Sequence, residues 1–108
     1  MKKLSPSDIR LSSITVAELF YGAEKSKAKE KNQNIVETFV SNFEVLPFDG
    51  RCCLRYARIR ASREGSGKPV GPMDLLIASI TLEHNLRLVT NNVKEFGRIK
   101  GLKVESWV

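Results

Sequence analysis

A nearly uninterrupted apolar segment, residues 75–82, constrains the fold of this chain more than any other feature. Only Ser79 and Thr81 are polar within it, so a helix formed here has no face suited to water. Gly71 and Pro72 precede the segment, and proline is favoured in a first helical turn because its missing N–H has no intrahelical acceptor there. The sequence therefore predicts a buried helix that begins near residue 72 and packs against a sheet.

Asp74 lies in the first turn of this predicted helix, next to its apolar part. A carboxylate at the start of a buried helix suits a cation-binding site. Acids are also common in first helical turns because they interact favourably with the helix dipole. Asp74 by itself leaves both interpretations open.

Short apolar segments alternate with helical patterns through the rest of the chain. Strands are predicted at 11–15, 44–48, 86–90 and 101–107, and helices at 16–25, 34–43, 51–63 and 91–96, in addition to the helix that begins near residue 72. This alternation is typical of an α/β fold with a mainly parallel sheet. One hundred and eight residues suffice for a single domain, 1–108, in which 1–10 form an irregular initial segment.

Three acids, Glu18, Asp74 and Glu95, each follow a predicted helix cap by three residues. In an open parallel sheet the carboxyl ends of the strands form the ligand crevice, and helix N-termini there would keep nearby acids ionised. The spacing permits a magnesium site, because Mg²⁺ prefers oxygen ligands and retains several waters. For Glu18 after Thr15, and Glu95 after Asn92, a capping box is the competing interpretation.

The chain is basic, with eighteen Lys and Arg against twelve Asp and Glu and a formal net charge of +6. This balance favours an anionic partner such as nucleic acid. Arg51, Arg55 and Arg58 recur at helical spacing and form a basic stripe, here called the arginine stripe, while Cys53, Tyr56 and Ala57 are predicted to lie on the packed side of the same helix.

Nothing in the sequence predicts a membrane segment or a signal peptide, so a cytoplasmic protein is expected. Cys52 and Cys53 are adjacent, where a disulfide would be strained, and we interpret them as free thiols. His84 is the only histidine, and its position beside Asn85 at a helix end favours a C-terminal cap over a Ser-His-Asp mechanism.

Four ordered blocks of this sequence resemble a known family. The blocks are residues 12–19 (SSITVAEL), 21–26 (YGAEKS), 71–78 (GPMDLLIA) and 89–96 (VTNNVKEF). Together they resemble the PIN-domain ribonucleases, specifically the VapC toxins of bacterial toxin-antitoxin pairs. The resemblance implies a PIN-like three-layer sandwich.

The resemblance also implies a function and its residues. Glu18 and Asp74 match two acids of the family's metal site, and Asn91 and Asn92 fall in the block that supplies a further one, often aspartate. A Mg²⁺-dependent endoribonuclease is implied, with Mn²⁺ as an alternative ion, and some close members of the family cut initiator tRNA. The arginine stripe would contact RNA, and the implied protein partners are a VapB-type antitoxin and a second copy in a homodimer.

The chain also departs from the family pattern. Family members begin with a central strand that ends in a metal-binding Asp and is followed by a helix, and neither is found here; Asp8 is no substitute. We therefore expect a truncated domain with impaired activity, because loss of a central strand leaves backbone groups unpaired. The alternative class is a non-catalytic fragment that binds an antitoxin or a sister subunit.

Overall fold

The computed structural model describes residues 5–106, with Pro6 described by its backbone alone. The described chain divides between Pro47 and Phe48 into two compact units. Each unit combines helices with one two-stranded parallel sheet. The parallel pairing confirms the predicted α/β class, whereas the organisation of residues 1–108 as one domain stays a prediction.

The first unit contains two helices and a pair of strands. Its elements are a 3₁₀ turn (Pro6–Asp8), β1 (Arg10–Ser12), α1 (Ser13–Lys25), α2 (Lys29–Val40) and β2 (Glu44–Leu46). Leu11 of β1 lies opposite Val45 of β2. The start of the chain is more regular than expected, because Asp8 accepts hydrogen bonds from Ser5 and because Arg10, which pairs with Glu44, is already in a strand.

Helix α1 begins earlier than the sequence predicts. Ser12 is its N-cap, and the Ser12 hydroxyl accepts a hydrogen bond from the backbone N–H of Thr15 at 3.0 Å. The predicted capping box of Thr15 and Glu18 is therefore wrong, since a serine three residues before Thr15 already caps the helix. Glu18 lies in the second turn, where the helix dipole supports its charge less than it would in the first.

Helix α2 is longer and more exposed than expected. It begins at Lys29, whereas the sequence predicts a start at residue 34. Val36 is half-buried, but the apolar side chains of Ile35 and Phe39 are 55% and 47% exposed and lie outside the core. The side chain of Phe39 instead lies against Phe43, with ring centroids 5.0 Å apart.

The second unit holds the buried helix. Its elements are α3 (Gly50–Gly65), α4 (Pro72–Glu83), β3 (Arg87–Thr90), α5 (Val93–Phe96) and β4 (Lys103–Ser106). Leu88 of β3 lies opposite Val104 of β4. The prediction for the last strand extends to Trp107, which lies outside the described residues.

Helix α4 is buried as its composition predicts. Leu75 is 2% exposed and Ala78 is fully buried. The two polar residues of the segment satisfy their hydroxyls within the helix: Ser79 donates to the carbonyl of Leu75 at 2.7 Å, and Thr81 donates to that of Ile77 at 2.8 Å. The helix thus buries polar side chains without leaving an unmet hydrogen bond. Within residues 5–106, no helix has the length and apolar character needed to cross a bilayer.

Candidate active site

The start of α4 has the geometry that its sequence predicts. Gly71 is the N-cap, Pro72 is the first helical residue and Asp74 is the third. Gly71 has no side chain with which to cap the helix, and its φ of −56° and ψ of 146° are open to most residue types. The half-buried carboxylate of Asp74 therefore stands in a first turn that no capping side chain covers.

The short helix α5 supplies a second acid to the same place. Asn92 is its N-cap and Glu95 its third residue, as predicted, but the side chain of Asn92 makes no capping hydrogen bond. Glu95 does not accept the backbone N–H of its cap, which donates to Oγ1 of Thr90 at 3.0 Å, and its Oε1 instead accepts the backbone N–H of Gly71 at 2.8 Å. The predicted capping box of Asn92 and Glu95 is therefore wrong, and Glu95 instead joins α5 to the start of α4.

The side-chain amide of Asn92 lies between the two carboxylates. Its Nδ2 donates to Oδ2 of Asp74 at 3.3 Å and to Oε2 of Glu95 at 2.9 Å. We call Asp74, Asn92 and Glu95 the acidic cluster. Asn91, the other asparagine selected from the sequence, is an exposed neighbour of Asn92.

The two acids of the cluster have opposite pKa shifts. The pKa of Asp74 is raised, first by burial, then by the negative charge of Glu95 and by a hydrogen bond in which protonated Asp74 is the donor. The pKa of Glu95 is lowered, chiefly by the backbone N–H of Gly71 and the amide of Asn92. The negative charge of Glu95 is therefore the better stabilised of the two, because two N–H donors bond to its carboxylate.

This donor set fits a divalent cation. Two carboxylates held together without a positive side chain between them repel each other, and a bound cation relieves that repulsion. Mg²⁺ is often held by one or two carboxylates because it keeps several of its waters. Within residues 5–106 no three His, Cys, Asp or Glu side chains form a group that could hold a metal, so the described part of the chain offers two acidic ligands here.

Glu18, the other predicted metal-site acid, is exposed on α1 in the first unit. Its place beside Asp74 stays a prediction. Glu95 is predicted to lie near the other acids because of its spacing after Asn92 and because its helix directly follows a strand of a parallel sheet. In the structure it shares the amide of Asn92 with Asp74.

The arginine stripe is exposed along α3. Arg55 forms an ion pair, in which its Nε lies 3.1 Å from Oε2 of Glu83. Arg51 and Arg58 are exposed. Asp49 caps this helix, and its side chain accepts the backbone N–H of Cys52 at 3.2 Å.

The packed side of α3 differs from the sequence prediction. Cys53 and Ala57 are exposed, whereas Cys52 is fully buried and Tyr56 and Ile59 are partly buried. The predicted face is thus displaced around the helix by about one residue. Both cysteines are free thiols, as expected.

A cavity of about 210 Å³ lies between the C-terminal part of α3 and the start of α4. Tyr56, Arg60, Pro72 and Leu75 are among its lining residues. Pro72 and Leu75 share one face of α4, and Asp74 projects from a different side of the helix. The cavity is therefore separate from the acidic cluster.

Comparisons with known proteins agree on one family. The PIN domain matches residues 1–102. The tRNA(fMet)-specific endonuclease VapC of Salmonella typhimurium is 46% identical over 104 residues, which are 96% of this chain and 79% of that protein. Ribonuclease VapC2 of Rickettsia felis is 46% identical over 99 residues, 92% of this chain and 74% of the relative.

Solved structures give the same result. The chain superposes on the crystal structure of DNA-bound VapBC from Salmonella typhimurium with a TM-score of 0.88 and 46% identity, covering 92% of this chain and 75% of the other. The VapBC-1 structure from nontypeable Haemophilus influenzae gives a TM-score of 0.85 at 38% identity, covering 91% and 75%.

Proposed function

Because this chain belongs to the PIN-domain family and to its VapC ribonucleases, we propose that it is a toxin endoribonuclease that cleaves tRNA with a divalent metal ion at the acidic cluster. The observation that carries the proposal is the pair of carboxylates, Asp74 and Glu95, bridged by the amide of Asn92 at the starts of two helices. The group that bridges the two carboxylates is a neutral amide, and the positive charge of Arg98 lowers the pKa of Glu95 less than the hydrogen bonds from Gly71 and Asn92 do.

Asp74 and Glu95 would hold the ion, and Mg²⁺ is the ion we propose, with Mn²⁺ as a substitute. When bound, the ion supplies activation of water and stabilisation of negative charge on the scissile phosphate. Asn92 keeps the two carboxylates at a fixed separation, and Gly71 fixes the orientation of Glu95 through its N–H. Glu18 and Asn91 are proposed as further residues of the site, on the basis of their blocks in the sequence.

The proposed substrate class follows from charge as well as from family. A net charge of +6 attracts a polyanion, and Arg51 and Arg58 present exposed guanidinium groups on α3. Arg55 is less available because Glu83 pairs with it. We propose that the arginine stripe contacts RNA phosphates, which hold the strand in place without reading its sequence.

The proposed protein partners are a VapB-type antitoxin and a second copy of the chain, in the cytoplasm. Relatives of known structure include VapBC complexes, some of them bound to DNA. In the first unit Tyr21, Ile35 and Phe39 are 58%, 55% and 47% exposed. These side chains lie on α1 and α2, which pack against each other, and exposed apolar patches on a protein surface mark binding sites, which supports a partner for this unit.

The same exposed side chains favour a second candidate, a non-catalytic module that binds an antitoxin or a sister subunit. The two candidates differ in whether RNA is cut. Impaired catalysis is tested in the same assay. The rate of RNA cleavage by this chain is compared with the rate of a VapC relative.

The test is cleavage of a tRNA mixture and of purified initiator tRNA in Mg²⁺, with Asp74→Asn and a chelator as negative arms. Glu37→Gln is the matched control, because Glu37 is an exposed acid of α2 in the first unit, outside the acidic cluster. We expect cleavage by the native chain and by Glu37→Gln, and none by Asp74→Asn or with chelator. Intact RNA in every arm, together with antitoxin binding, would favour the non-catalytic module.

A further inference from the structure

Arg63, in the last turn of α3, joins the two chain segments that carry the acids of the cluster. Its Nε and Nη2 both donate to the carbonyl of Lys68, at 3.1 and 3.0 Å, and its Nη1 donates to the carbonyl of Arg98 at 2.8 Å. One planar guanidinium thus binds two loops that are far apart in sequence. Lysine cannot reproduce this arrangement, because its ammonium group lacks the fixed fork of donors.

The two carbonyls lie just outside the acidic cluster. Lys68 is in the loop that leads to Gly71 and to the first turn of α4, which contains Asp74. Arg98 comes immediately after Gly97, the C-cap of α5, and its own N–H donates to the carbonyl of Glu95 at 3.2 Å. The guanidinium of Arg63 therefore fixes one end of each segment, while the bond from Gly71 to Glu95 joins them at the other.

From this geometry we propose that Arg63 is a positioning residue for the acidic cluster: it holds the two loops so that Asp74 and Glu95 face one ion. The inference rests on the proposed function, because the proposed function includes a metal ion bound by the acidic cluster. Groups that orient metal ligands from outside the site typically change metal affinity 10- to 100-fold when they are removed. Arg63 touches neither carboxylate, so its effect comes through the backbone.

Two measurements on the full chain test the proposal. The first is hydrogen exchange of the Gly71 amide by NMR, which needs no metal. The second is the Kd of Mn²⁺, measured from the electron paramagnetic resonance signal of the free ion. For Arg63→Gln we expect Gly71 exchange to accelerate about tenfold and Mn²⁺ to bind about 10- to 100-fold more weakly. Arg63→Lys should lie between the native chain and Arg63→Gln, because one donor group can reach only part of the network.

Two control variants separate positioning from general loss of stability. Arg60→Gln removes a neighbouring arginine of α3 whose guanidinium is bonded to Glu64 and Tyr56 within the same helix. Ile80→Val trims a buried residue of α4 and lowers stability without touching the loops. Both variants should keep the native Mn²⁺ affinity. In both, the ratio of the Gly71 exchange rate to the exchange rates of the other amides should also stay native.

The two readouts also separate this proposal from the proposed function. A native chain that binds no Mn²⁺ would overturn the metal site, and in that case the exchange rate of Gly71 decides whether Arg63 positions the loops. A folded Arg63→Gln with native Gly71 exchange and native Mn²⁺ affinity would overturn the role of Arg63 and leave the function standing.

Discussion

Gly71 donates its backbone N–H to the carboxylate of Glu95 at 2.8 Å, so the N-cap of one helix is bonded to an acid of another that lies twenty-four residues later. The contact has two effects. It lowers the pKa of Glu95, and it brings that carboxylate to the first turn of α4, where Asp74 stands. The acidic cluster therefore depends on a backbone donor that no side-chain pattern reveals.

Proline and alanine at position 71 should differ in their effect on this contact. Proline has no N–H, and the φ of −56° at Gly71 is one that a proline ring adopts, so Gly71→Pro removes the donor with little backbone strain. Gly71→Ala keeps the donor, and its added Cβ would meet Oε1 of Glu95 at 3.4 Å, close to ordinary contact.

We expect Gly71→Pro to be about 1–2 kcal/mol less stable than Gly71→Ala at pH 7, because a hydrogen bond to a charged acceptor is lost and the ring carbon on the proline nitrogen displaces the carboxylate that accepted it. Urea unfolding measures the difference. Equal stability of the two variants would show that the bond to Glu95 contributes nothing.

How far the sequence predicts this site can be judged from the two helix starts. Pro72 and the apolar residues after it define α4 and place Asp74 in its first turn, because proline and burial act locally. The position of Glu95 also follows from its spacing after Asn92. The backbone N–H that Glu95 accepts cannot be predicted in this way. A capping box and a bond to Gly71 are compatible with the same spacing, and they differ only in which backbone N–H lies nearer to the carboxylate.

A similar limit applies to the first helix and to the packed face of α3. Thr15 and Glu18 match a capping box, yet Ser12 caps the helix, since a run of hydroxyl residues offers several equivalent caps. On α3, most positions are exposed, so the packed face is narrow. The pattern of apolar residues then predicts the position of the packed face only to within about one residue. For this reason Cys53 is predicted to be packed, whereas Cys52 is the buried cysteine.

Removing the charge of Asp74 should stabilise the protein in the absence of metal. The raised pKa of Asp74 means that the folded state holds its proton more tightly than the unfolded state does. Asp74 therefore lowers stability progressively as the pH rises from its ordinary pKa of 3.8 through the folded value.

We expect Asp74→Asn to match the native chain below that window and to be about 0.5–1 kcal/mol more stable at pH 7, a figure reduced for solvent screening. Thermal unfolding from pH 3 to pH 8 in chelator tests this expectation. Glu95 titrates in both proteins, and the two main causes of its lowered pKa, the N–H of Gly71 and the amide of Asn92, are the same in both. An Asp74→Asn variant that is clearly less stable at pH 7 would contradict the proposed repulsion between the acids.

The arginine stripe should act mainly through charge. Replacing both Arg51 and Arg58 by Gln removes two exposed guanidinium groups and leaves polar side chains with good helix propensity, so the fold should be unaffected. Binding of tRNA should weaken, and the slope of log K against log salt should fall by about 1–2, because fewer counterions are released. Lys27→Gln combined with Lys31→Gln makes the same change in charge elsewhere. The same loss of slope with the lysine pair would show that net charge alone is responsible.

A third carboxylate in the acidic cluster should strengthen metal binding. Asn92→Asp replaces the amide that lies 3.3 Å from Asp74 and 2.9 Å from Glu95, so it adds a charged oxygen ligand where a neutral donor now stands. We expect Mn²⁺ and Mg²⁺ to bind about tenfold more tightly, with Mn²⁺ the tighter of the two. Without metal the same variant should be less stable at pH 7, because three acids then repel one another and two hydrogen bonds are lost.

Calorimetric titration of each ion measures the affinity, and thermal unfolding in chelator measures the stability. Asn34→Asp, an exposed change of the same charge on α2, is the matched control and should alter neither quantity. Asn91→Asp identifies which asparagine faces the ion, since a larger gain there than with Asn92→Asp would move the site by one residue. Unchanged affinity in Asn92→Asp, with the stability loss present, would mean that the three side chains meet without binding a cation.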